Sequence, residues 1–435
     1  MSTGSKPKQL PFLFVHHAPH GEAKEPSKRA EQSFDRQAIL LLTVQGLYAA
    51  ATALSILFVN VFIWKISKNY ALIGWFALTQ HVCGTLTFFL AGKWVKQWNK
   101  MNVLRAGIAL SALQYLTILL LGQQAARYAL LIGALQGISA GFFWLAFNVV
   151  YFEITNPGNR DRFNGWAGLL GSTAGMIAPW VSGVLISRLG DRGYTVIFSA
   201  SLAIFILGVA ISFFLKKREA QGQYEWFYAF RQLSSSRSPW RPAFMGLFFQ
   251  GIREGVFMFL VGLLVYIVTK DEFRLGTYSF ITSAVALGSF WLIGKLIKPV
   301  SRNTYLLLGT VALSLVMTPL WVEMNYAMLL VFGIGTAIFF PMYIIPITSS
   351  VFDLIGRDEQ AVAHRVEYVV LREAGLNAGR VAGTILYIGF VVWIGTEKHI
   401  PFIVFLLLIG SSPIFSWFFI RRLSRYLQQG KNTAN

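Results

Sequence analysis

Two stretches of the sequence repeat one pattern: Gly92-Lys-Trp-Val-Lys-Gln-Trp-Asn-Lys100 and, 202 positions later, Gly294-Lys-Leu-Ile-Lys-Pro-Val-Ser-Arg302. In both copies a glycine is followed by two lysines at the same spacing and by a basic residue at the end. Each copy closes a long apolar stretch. A pattern repeated at this distance indicates internal duplication, so we expect two halves with the same order of elements.

Other matches fall at nearly the same distance, between 200 and 205 positions. Small drifts in the distance are expected, because insertions accumulate in loops. The two halves therefore cover 37–215 and 243–420, and 216–242 is a charged, polar linker between them. The further matching pairs are Gln45-Gly46 with Gln250-Gly251, Lys65 with Lys270, Tyr151-Phe152-Glu153 with Val351-Phe352-Asp353, and Ala174-Gly175 with Ala378-Gly379.

The composition places these halves in a membrane. Of the 435 residues 55% are apolar and only 13% are charged, and the mean hydropathy is +0.55. Soluble proteins carry about 25% charged residues, so an ordinary soluble enzyme is not expected. Because a helix needs about 20 apolar residues to cross a bilayer, we predict an all-α membrane protein with twelve transmembrane helices in two parallel six-helix repeats. The predicted spans, numbered 1 to 12, are 37–64, 69–92, 106–126, 128–152, 163–187, 193–215, 243–269, 275–294, 303–322, 324–352, 366–394 and 399–420.

The basic residues predict the orientation of the spans. With twelve spans, 27 of the 38 Lys and Arg residues fall on the side of the N-terminus, 8 on the other side, and 3 inside spans. Cytoplasmic loops carry the excess of Lys and Arg, so both termini are expected in the cytoplasm of a cell-membrane protein. The net charge of +19 then reflects the topology of the protein, and the basic residues are expected to contact anionic lipid of the inner leaflet. A nucleic-acid partner is not expected.

Residues 1–36 and 421–435 are predicted to be cytoplasmic tails, and the first of these is polar enough to be disordered. The only cysteine, Cys83, excludes an intrachain disulfide and a cysteine-based metal cluster. His16, His17 and His20 stand together in the first tail without a carboxylate or cysteine, so no metal site is predicted. The short loops and the single cysteine suit a bacterial inner membrane.

Two parallel six-helix repeats are the architecture of a secondary transporter with a binding site between its halves. Over 38–420 the sequence resembles the major facilitator superfamily. The repeated basic loop is similar to the gating-loop signature of that family, although Lys96 and Lys298 stand at its acidic position. Gly175-Met-Ile-Ala-Pro179-Trp-Val-Ser-Gly183 is similar to the signature of its exporters. Gly133 replaces the arginine of its proton-antiporter signature.

Charged residues inside two spans indicate the functional site. An ionised residue at the bilayer centre costs roughly 2.5–3.5 kcal/mol on insertion scales, so these residues need pairing or a water-filled cavity. In span 7, Gln250, Arg253 and Glu254 fall within one arc of about 100°, and in span 11, Glu373, Asn377 and Arg380 share one face. The predicted substrate and proton pathway comprises Gln45, Gln250, Arg253, Glu254, Arg372, Glu373, Asn377 and Arg380.

Three arginines against two glutamates favour a substrate with an anionic group, and the bidentate fork of Arg380 is expected to bind it. Glu254 and Glu373 are the candidate proton carriers, while Glu367 lies nearer the end of its span. A static Arg–Glu network that locks spans 7 and 11 together is the structural alternative. Gln45 and Gln250 fit substrate contacts and interhelical hydrogen bonds equally well.

The candidate gating residues lie at the span ends on the predicted cytoplasmic side and in span 5. Glu153 and Asp353 end spans 4 and 10 and are expected to pair with the basic loops, and Pro179 offers a kink. The loop residues of this set are Lys93, Lys96, Lys295 and Lys298.

Together these features predict a secondary active transporter of a small molecule, a monomer that works by alternating access. Proton coupling is expected, no cofactor is needed, and the span 5 signature favours export. The absence of a nucleotide-binding loop argues against ATP as the energy source, and no catalytic His/Asp or paired-carboxylate group indicates an enzyme. The alternative is a non-transporting membrane scaffold or sensor with the same fold.

The orientation can be tested by cysteine labelling. A cysteine introduced at Asn69, Gln123 or Glu397 should react from outside the cell with an impermeant thiol reagent, and one at Ser235 should not. External labelling at Ser235 would contradict the twelve-span arrangement with both termini inside.

Overall fold

The computed structural model describes residues 34–97, 99–155, 159–217, 223–356, 363–396 and 399–432. Within these ranges, twelve helices are long and apolar enough to cross a membrane, which confirms the twelve predicted spans. Most of the helices begin or end a few residues outside the charge-free runs, because their ends extend into the polar loops. The first 33 residues, with their three histidines, lie outside the described part of the chain.

The span numbers are kept for the helices. Spans 1 to 6 are Arg36–Ser67, Tyr70–Gln97, Lys100–Leu121, Ala129–Ile154, Arg160–Leu189 and Asp191–Ser212. Spans 7 and 8 are Trp240–Thr269 and Glu272–Leu296. Span 9 is Arg302–Leu315 followed by Pro319–Val322, span 10 is Tyr326–Ile355, and span 11 is Arg365–Trp393. Span 12 consists of His399–Gly410 and Pro413–Asn432. Two short elements, Gly122–Gln124 and Tyr228–Arg231, lie in connections.

The duplication is visible in how the helices end. Spans 1 and 7 both stop at a lysine in the left-handed conformation, Lys68 with φ 51° and Lys270 with φ 52°. The N–H group of each lysine donates to a carbonyl four residues earlier at 2.7 Å. The structural counterpart of Lys270 is therefore Lys68, and the sequence match with Lys65 was off by three residues.

The bundle has two faces. We call the face with the linker and both ends of the described chain the linker face, and the opposite face, with the 1–2 and 7–8 connections, the distal face. The helix at the end of span 12 runs through Asn432, so most of the predicted tail 421–435 is helical. Arg421 and Arg422 continue this helix beyond the apolar segment, with their guanidinium groups over the rings of Trp417 and Phe418.

The linker is polar in composition, but aromatic residues of its described part pack against the transmembrane helices. Tyr224 is buried against Gly92 of span 2, and the ring of Trp226 lies 5.2 Å from that of Phe89. Burial and the negative charge of Glu367 raise the pKa of Tyr224, so its hydroxyl stays protonated at neutral pH. The described part of the linker thus packs against the ends of spans of both halves.

The two halves meet along spans 2 and 11 and along spans 5 and 8. A Cβ atom added to Gly74 of span 2 would lie 2.7 Å from Ile388 Cγ1 of span 11. A Cβ atom added to Gly276 of span 8 would lie 2.7 Å from the carbonyl oxygen of Pro179 in span 5. Only glycine allows backbones to approach this closely, as is common between membrane helices.

Within the C-terminal half, spans 7 and 11 are in direct backbone contact. A Cβ atom at Gly251 would overlap the carbonyl oxygen of Leu376, and one at Gly379 would overlap that of Phe248. Gly255 and Gly383 continue the same contact along the two helices. This stripe of glycines brings the charged residues of the two spans within reach of one another.

We expect Gly379→Ala to destabilise the protein, because the new methyl group forces spans 7 and 11 apart. Overpacking costs about 1–3 kcal/mol, and here the neighbour is a backbone carbonyl that cannot rotate away. Gly389→Ala is the matched control in the same helix, since its Cβ would meet no atom within 4 Å. The thermal unfolding of the two purified variants in detergent compares them, and equal midpoints would contradict this packing.

Candidate functional site

A cavity of about 680 Å³ lies between the two halves near the middle of the spans. Its volume is within the range of about 300–1,000 Å³ that is typical of small-molecule sites. The N-terminal half contributes mostly neutral polar and aromatic side chains, and the C-terminal half contributes charged ones. The polar side chains from the N-terminal half include Thr52, Gln80, His81, Ser111, Gln114, Gln136 and Asn148.

Four of the predicted pathway residues line this central cavity together: Arg372, Glu373, Asn377 and Arg380 of span 11. Span 11 flanks the cavity because its glycine face is turned towards span 7, which leaves the polar face towards the N-terminal half. Pro179 also lines the cavity, at the point where span 5 contacts span 8. Glu373, Asn377 and Arg380, which were predicted to share one face of span 11, therefore all border the central cavity.

Glu254 is the centre of a hydrogen-bonded group between spans 7 and 11. Its Oε2 accepts from Arg380 Nε at 3.2 Å and from Arg380 Nη2 at 2.7 Å, and its Oε1 accepts from Gln250 Nε2 at 2.8 Å. Arg380 Nη1 donates to Asn377 Oδ1 at 3.1 Å. The guanidinium group of Arg380, predicted to bind the substrate, is thus engaged on both sides by this protein's own residues.

A second ion pair joins Arg372 Nη1 to Glu373 Oε1 at the edge of the central cavity. The guanidinium group of Arg372 lies over the ring of Phe352, 5.4 Å from its centroid, and its Nε has no hydrogen-bond partner. Two of the three intramembrane arginines are therefore neutralised by the two intramembrane glutamates.

Arg253 takes no part in the hydrogen bonds around Glu254, although it lies within the arc of about 100° predicted for span 7. Neighbouring residues on a helix differ by 100° in direction, and this rotation turns Arg253 into the interior of the C-terminal half. There it lines a second cavity, of about 330 Å³, together with Glu254. Its guanidinium group lies 4.9 Å from the centroid of the Phe257 ring.

Gln45 is placed apart from these residues. Its Nε2 donates to the carbonyl oxygen of Ala167 in span 5 at 3.4 Å. Its side chain borders neither the central cavity nor the cavity beside Arg253. This hydrogen bond between spans 1 and 5 favours the interpretation of Gln45 as an interhelical contact over a substrate contact. Gln250, by contrast, is tied to Glu254 and belongs to the charged group.

On the linker face one buried ion pair joins the two halves. Lys96 Nζ of span 2 donates to Glu367 Oε1 of span 11 at 2.5 Å, and the Glu367 side chain is 1% exposed. The backbone N–H of Glu225 in the linker donates to the same oxygen at 3.2 Å. Lys96 thus pairs across the halves although it stands at the acidic position of the family signature, and its partner is Glu367, which was not among the predicted gating residues.

The acidic residues that end spans 4 and 10 pair with the basic loops, as predicted. Glu153 binds Lys100, and Asp353 Oδ2 accepts from Arg302 Nη1 at 2.6 Å. Lys100 and Arg302 are the last residues of the two copies of the repeated pattern. Each pair lies within one half, so it fastens a loop to its own half and does not bridge the halves.

The other three loop lysines have different surroundings. Lys93 Nζ lies 5.9 Å from the ring of Trp226, and Lys295 Nζ lies 3.7 Å from the ring of Trp291. The side chain of Lys298, the counterpart of Lys96, is exposed. The repeated loops therefore occupy different environments in the two halves.

A third cavity, of about 270 Å³, lies beside the ion pairs of the linker face. Lys96, Lys100 and Glu153 line it, and Asn148 lines both this cavity and the central one. The two cavities are thus adjacent, and charged side chains surround the part nearer the linker face.

On the distal face the halves are joined by charged residues that the sequence analysis did not select. Lys65 Nζ lies 3.2 Å from Asp191 Oδ1 and 3.2 Å from Glu272 Oε1. Tyr194 donates from its hydroxyl to the same Glu272 oxygen at 2.9 Å. The sequence feature that could have identified this contact is that charged residues end or begin spans 1, 6 and 8 on the same face.

The contact between spans 5 and 8 is restricted to one part of their length. Gly183 and Pro179 touch span 8 near the distal face, and Ser283 of span 8 donates to the carbonyl oxygen of Gly175 at 3.4 Å, but a Cβ atom at Gly171 or Gly168 would meet no atom within 4 Å. These positions follow one another at helical spacing on one side of span 5. The two helices therefore separate towards the linker face, while the distal face is closed by contacts between the halves.

Two parallel six-helix halves that enclose a polar cavity at their interface define a membrane transporter of the secondary type. The family model of the Major Facilitator Superfamily matches residues 40–366, and the chain belongs to this superfamily.

Two bacterial proteins are similar to the chain in sequence. It is 40% identical over 395 residues to the uncharacterized protein YqgE of Bacillus subtilis, with 91% of both chains covered. It is also 40% identical over 194 residues to an uncharacterized protein encoded in the sodM 3' region of Geobacillus stearothermophilus, covering 44% of this chain and 91% of that protein.

Two solved structures share the fold. The crystal structure of a point mutant of the nucleoside transporter NupG superposes with a TM-score of 0.69, and that of NupG itself with 0.65. In both cases the identity is 14%, and the match covers 89% of this chain and 99% of the other. Identity at this level supports the fold and leaves the substrate to be argued from the cavity itself.

The buried pair of the linker face gives a stability prediction. Lys96→Met should lower the free energy of unfolding by about 3–5 kcal/mol, because it leaves the Glu367 carboxylate buried without its partner. The double variant Lys96→Met/Glu367→Met should recover most of this loss. Lys298→Met, the repeat-matched control, should stay within about 0.5 kcal/mol of wild type, because its side chain is exposed. If Lys96→Met unfolds at the same temperature as Lys298→Met, the buried pair does not stabilise the protein.

Proposed function

We propose that this protein is a secondary active transporter that moves a small molecule by alternating access, with the central cavity as its binding site. The observation that carries the proposal is the cavity of about 680 Å³ between the halves, into which span 11 directs Arg372, Glu373, Asn377 and Arg380. A fold of two rigid halves exposes such a cavity to one side at a time by rocking. Charged groups at this depth are costly, which supports a role in transport.

The contacts between the halves supply the elements that alternating access requires. On the distal face, Lys65 and Glu272 hold the halves together, and on the linker face Lys96 and Glu367 do so. Spans 5 and 8 have already separated towards the linker face. The arrangement resembles a state that faces the linker side, and breaking the distal pairs would begin the opposite state.

We assign the substrate an anionic group and an apolar part. The intramembrane residues of spans 7 and 11 carry three arginines and two glutamates, so one positive charge remains for the substrate to neutralise. Trp144 and Phe205 line the central cavity and offer aromatic surface. We further propose that the protein is a monomer in the cell membrane with the linker face in the cytoplasm, because the excess of Lys and Arg lies on that side. The span 5 signature favours export.

Proton coupling is assigned to the two carboxylates. Glu373 lines the central cavity, where it can exchange a proton with water or substrate, and its ion pair is formed with the adjacent Arg372. Glu254 receives three hydrogen bonds and connects spans 7 and 11. This geometry favours Glu373 as the proton carrier and Glu254 as the structural partner of Arg380.

The matched variants Glu373→Gln and Glu254→Gln separate these roles. Untargeted metabolite profiling of a deletion strain first supplies the substrate, and its uptake into inside-out vesicles with a pH gradient is then measured. Glu373→Gln should abolish accumulation against a gradient while substrate exchange continues, because the carrier can no longer bind and release a proton. Glu254→Gln should mainly lower the thermal stability, because it weakens the pairing of Arg380.

Accumulation at the wild-type level by Glu373→Gln would show that the proton is carried elsewhere, with Glu254 next to be tested. A deletion strain whose metabolite profile and drug sensitivity equal those of its parent, together with vesicles that take up none of the compounds offered, would favour the scaffold or sensor alternative.

A further inference from the structure

Arg253 is the one intramembrane arginine in the described part of the chain whose charge is not matched by a carboxylate. Its side chain is 5% exposed, and its Nε and Nη2 atoms have no hydrogen-bond partner. Glu254, the nearest acidic residue in sequence, already accepts from Arg380 and Gln250 through both oxygens. A buried charge is normally paired, so the free edge of Arg253 requires an explanation.

The cavity beside Arg253 is a built site of a definite chemical character. It has a volume of about 330 Å³ and lies between spans 7, 8 and 10. Phe257, Phe290, Phe332 and Phe340 supply an aromatic wall. Thr336 also lines the cavity, and its buried hydroxyl has no partner either.

This cavity is a continuation of the proposed substrate site. Met258, Thr282 and Ser283 line both the Arg253 cavity and the central cavity. A molecule in the central cavity therefore has a neighbouring pocket within the C-terminal half. The pocket combines the guanidinium group of Arg253 with aromatic surface, and the Glu254 carboxylate that also lines it is already engaged by Arg380 and Gln250.

We propose that the Arg253 cavity binds the carboxylate end of an amphipathic organic acid, with Arg253 as its anion-binding residue. A guanidinium group matches a carboxylate with two parallel hydrogen bonds. The apolar body of the acid packs against the phenylalanine wall. This inference rests on the proposed function and replaces Arg380, whose fork is occupied by Glu254, as the residue that recognises the anion.

The thermal stability of an Arg253 variant distinguishes a ligand-binding role from a purely structural one. If Arg253 stabilises the fold, Arg253→Met must lower the thermal midpoint of the ligand-free protein. If it is kept for a ligand, Arg253→Met removes an unpaired buried charge, and the midpoint should stay the same or rise. Arg380→Met is the matched comparison, because it deprives Glu254 of its partner and should lower the midpoint.

Binding is measured on the full-length protein in detergent, with 3-phenylpropionate as the probe and its neutral amide, 3-phenylpropionamide, as the control ligand. Thermal shift and titration calorimetry should show that the wild type binds the acid at least tenfold more tightly than the amide. Arg253→Met should lose this preference, and Arg253→Lys should retain only part of it, because lysine lacks the planar fork. Arg274→Gln, at an exposed arginine near the distal face, should bind as the wild type does.

Two results would overturn the proposal: equal binding of acid and amide by the wild type, or an acid preference that survives Arg253→Met. Neither result would contradict the proposal of alternating-access transport, which is measured separately by vesicle uptake. A protein that transports its substrate but shows no Arg253-dependent preference for the acid refutes this site alone.

Discussion

The ion pair between Glu254 and Arg380 is the interaction around which the C-terminal half is arranged. It lies where spans 7 and 11 touch backbone to backbone, beside the close contacts of Gly255 and Gly379. The Glu254 side chain is only 16% exposed, so the carboxylate depends largely on its protein partners for stabilisation. Because Glu254 bonds to Arg380 and Gln250, the adjacent Arg253 has no carboxylate partner of its own, and it lines a second cavity together with Glu254.

The sequence predicted the features that are properties of a linear pattern. Charge-free runs define the spans, and a repeat at a nearly constant distance defines the halves, because both follow from residue order alone. The pairing of charges depends on the rotation of each helix, which the sequence does not contain. The predicted arc in span 7 did not show which of Arg253 and Glu254 faces span 11, because the two differ by 100° in direction. The pair between Lys96 and Glu367 joins residues 271 positions apart. The grouping in span 11 was predictable because its residues share one helix face.

The two faces of the bundle use different means of joining the halves. On the distal face, Lys65 bridges to Glu272 and Asp191, and the Asp191 side chain is largely exposed. The exposed pair with Asp191 contributes little net free energy, whereas the Glu272 side chain, 12% exposed, is shielded more strongly. The pair between Lys96 and Glu367 is almost fully buried, so opening it requires water or another partner to replace the contact. The separation of spans 5 and 8 towards the linker face indicates that opening proceeds along these helices first, while spans 2 and 11 remain joined.

The duplication itself provides a test of what the fold requires. Spans 1 and 5 are the counterparts of spans 7 and 11, and they are free of charged residues over 37–64 and 163–187. They pack against each other nonetheless, with Gly46 against Leu170 and Gln45 bonded to Ala167. The six-helix unit therefore forms without intramembrane ion pairs. Because such charges are costly in a bilayer and the fold does not need them, their presence in only one copy supports a role in binding and coupling. The asymmetry also assigns complementary tasks to the two sides of the central cavity. The neutral N-terminal wall offers hydrogen bonds and aromatic surface, whereas the C-terminal half is proposed to supply Glu373 for the proton and, in the adjoining cavity, Arg253 for the anionic end of the substrate.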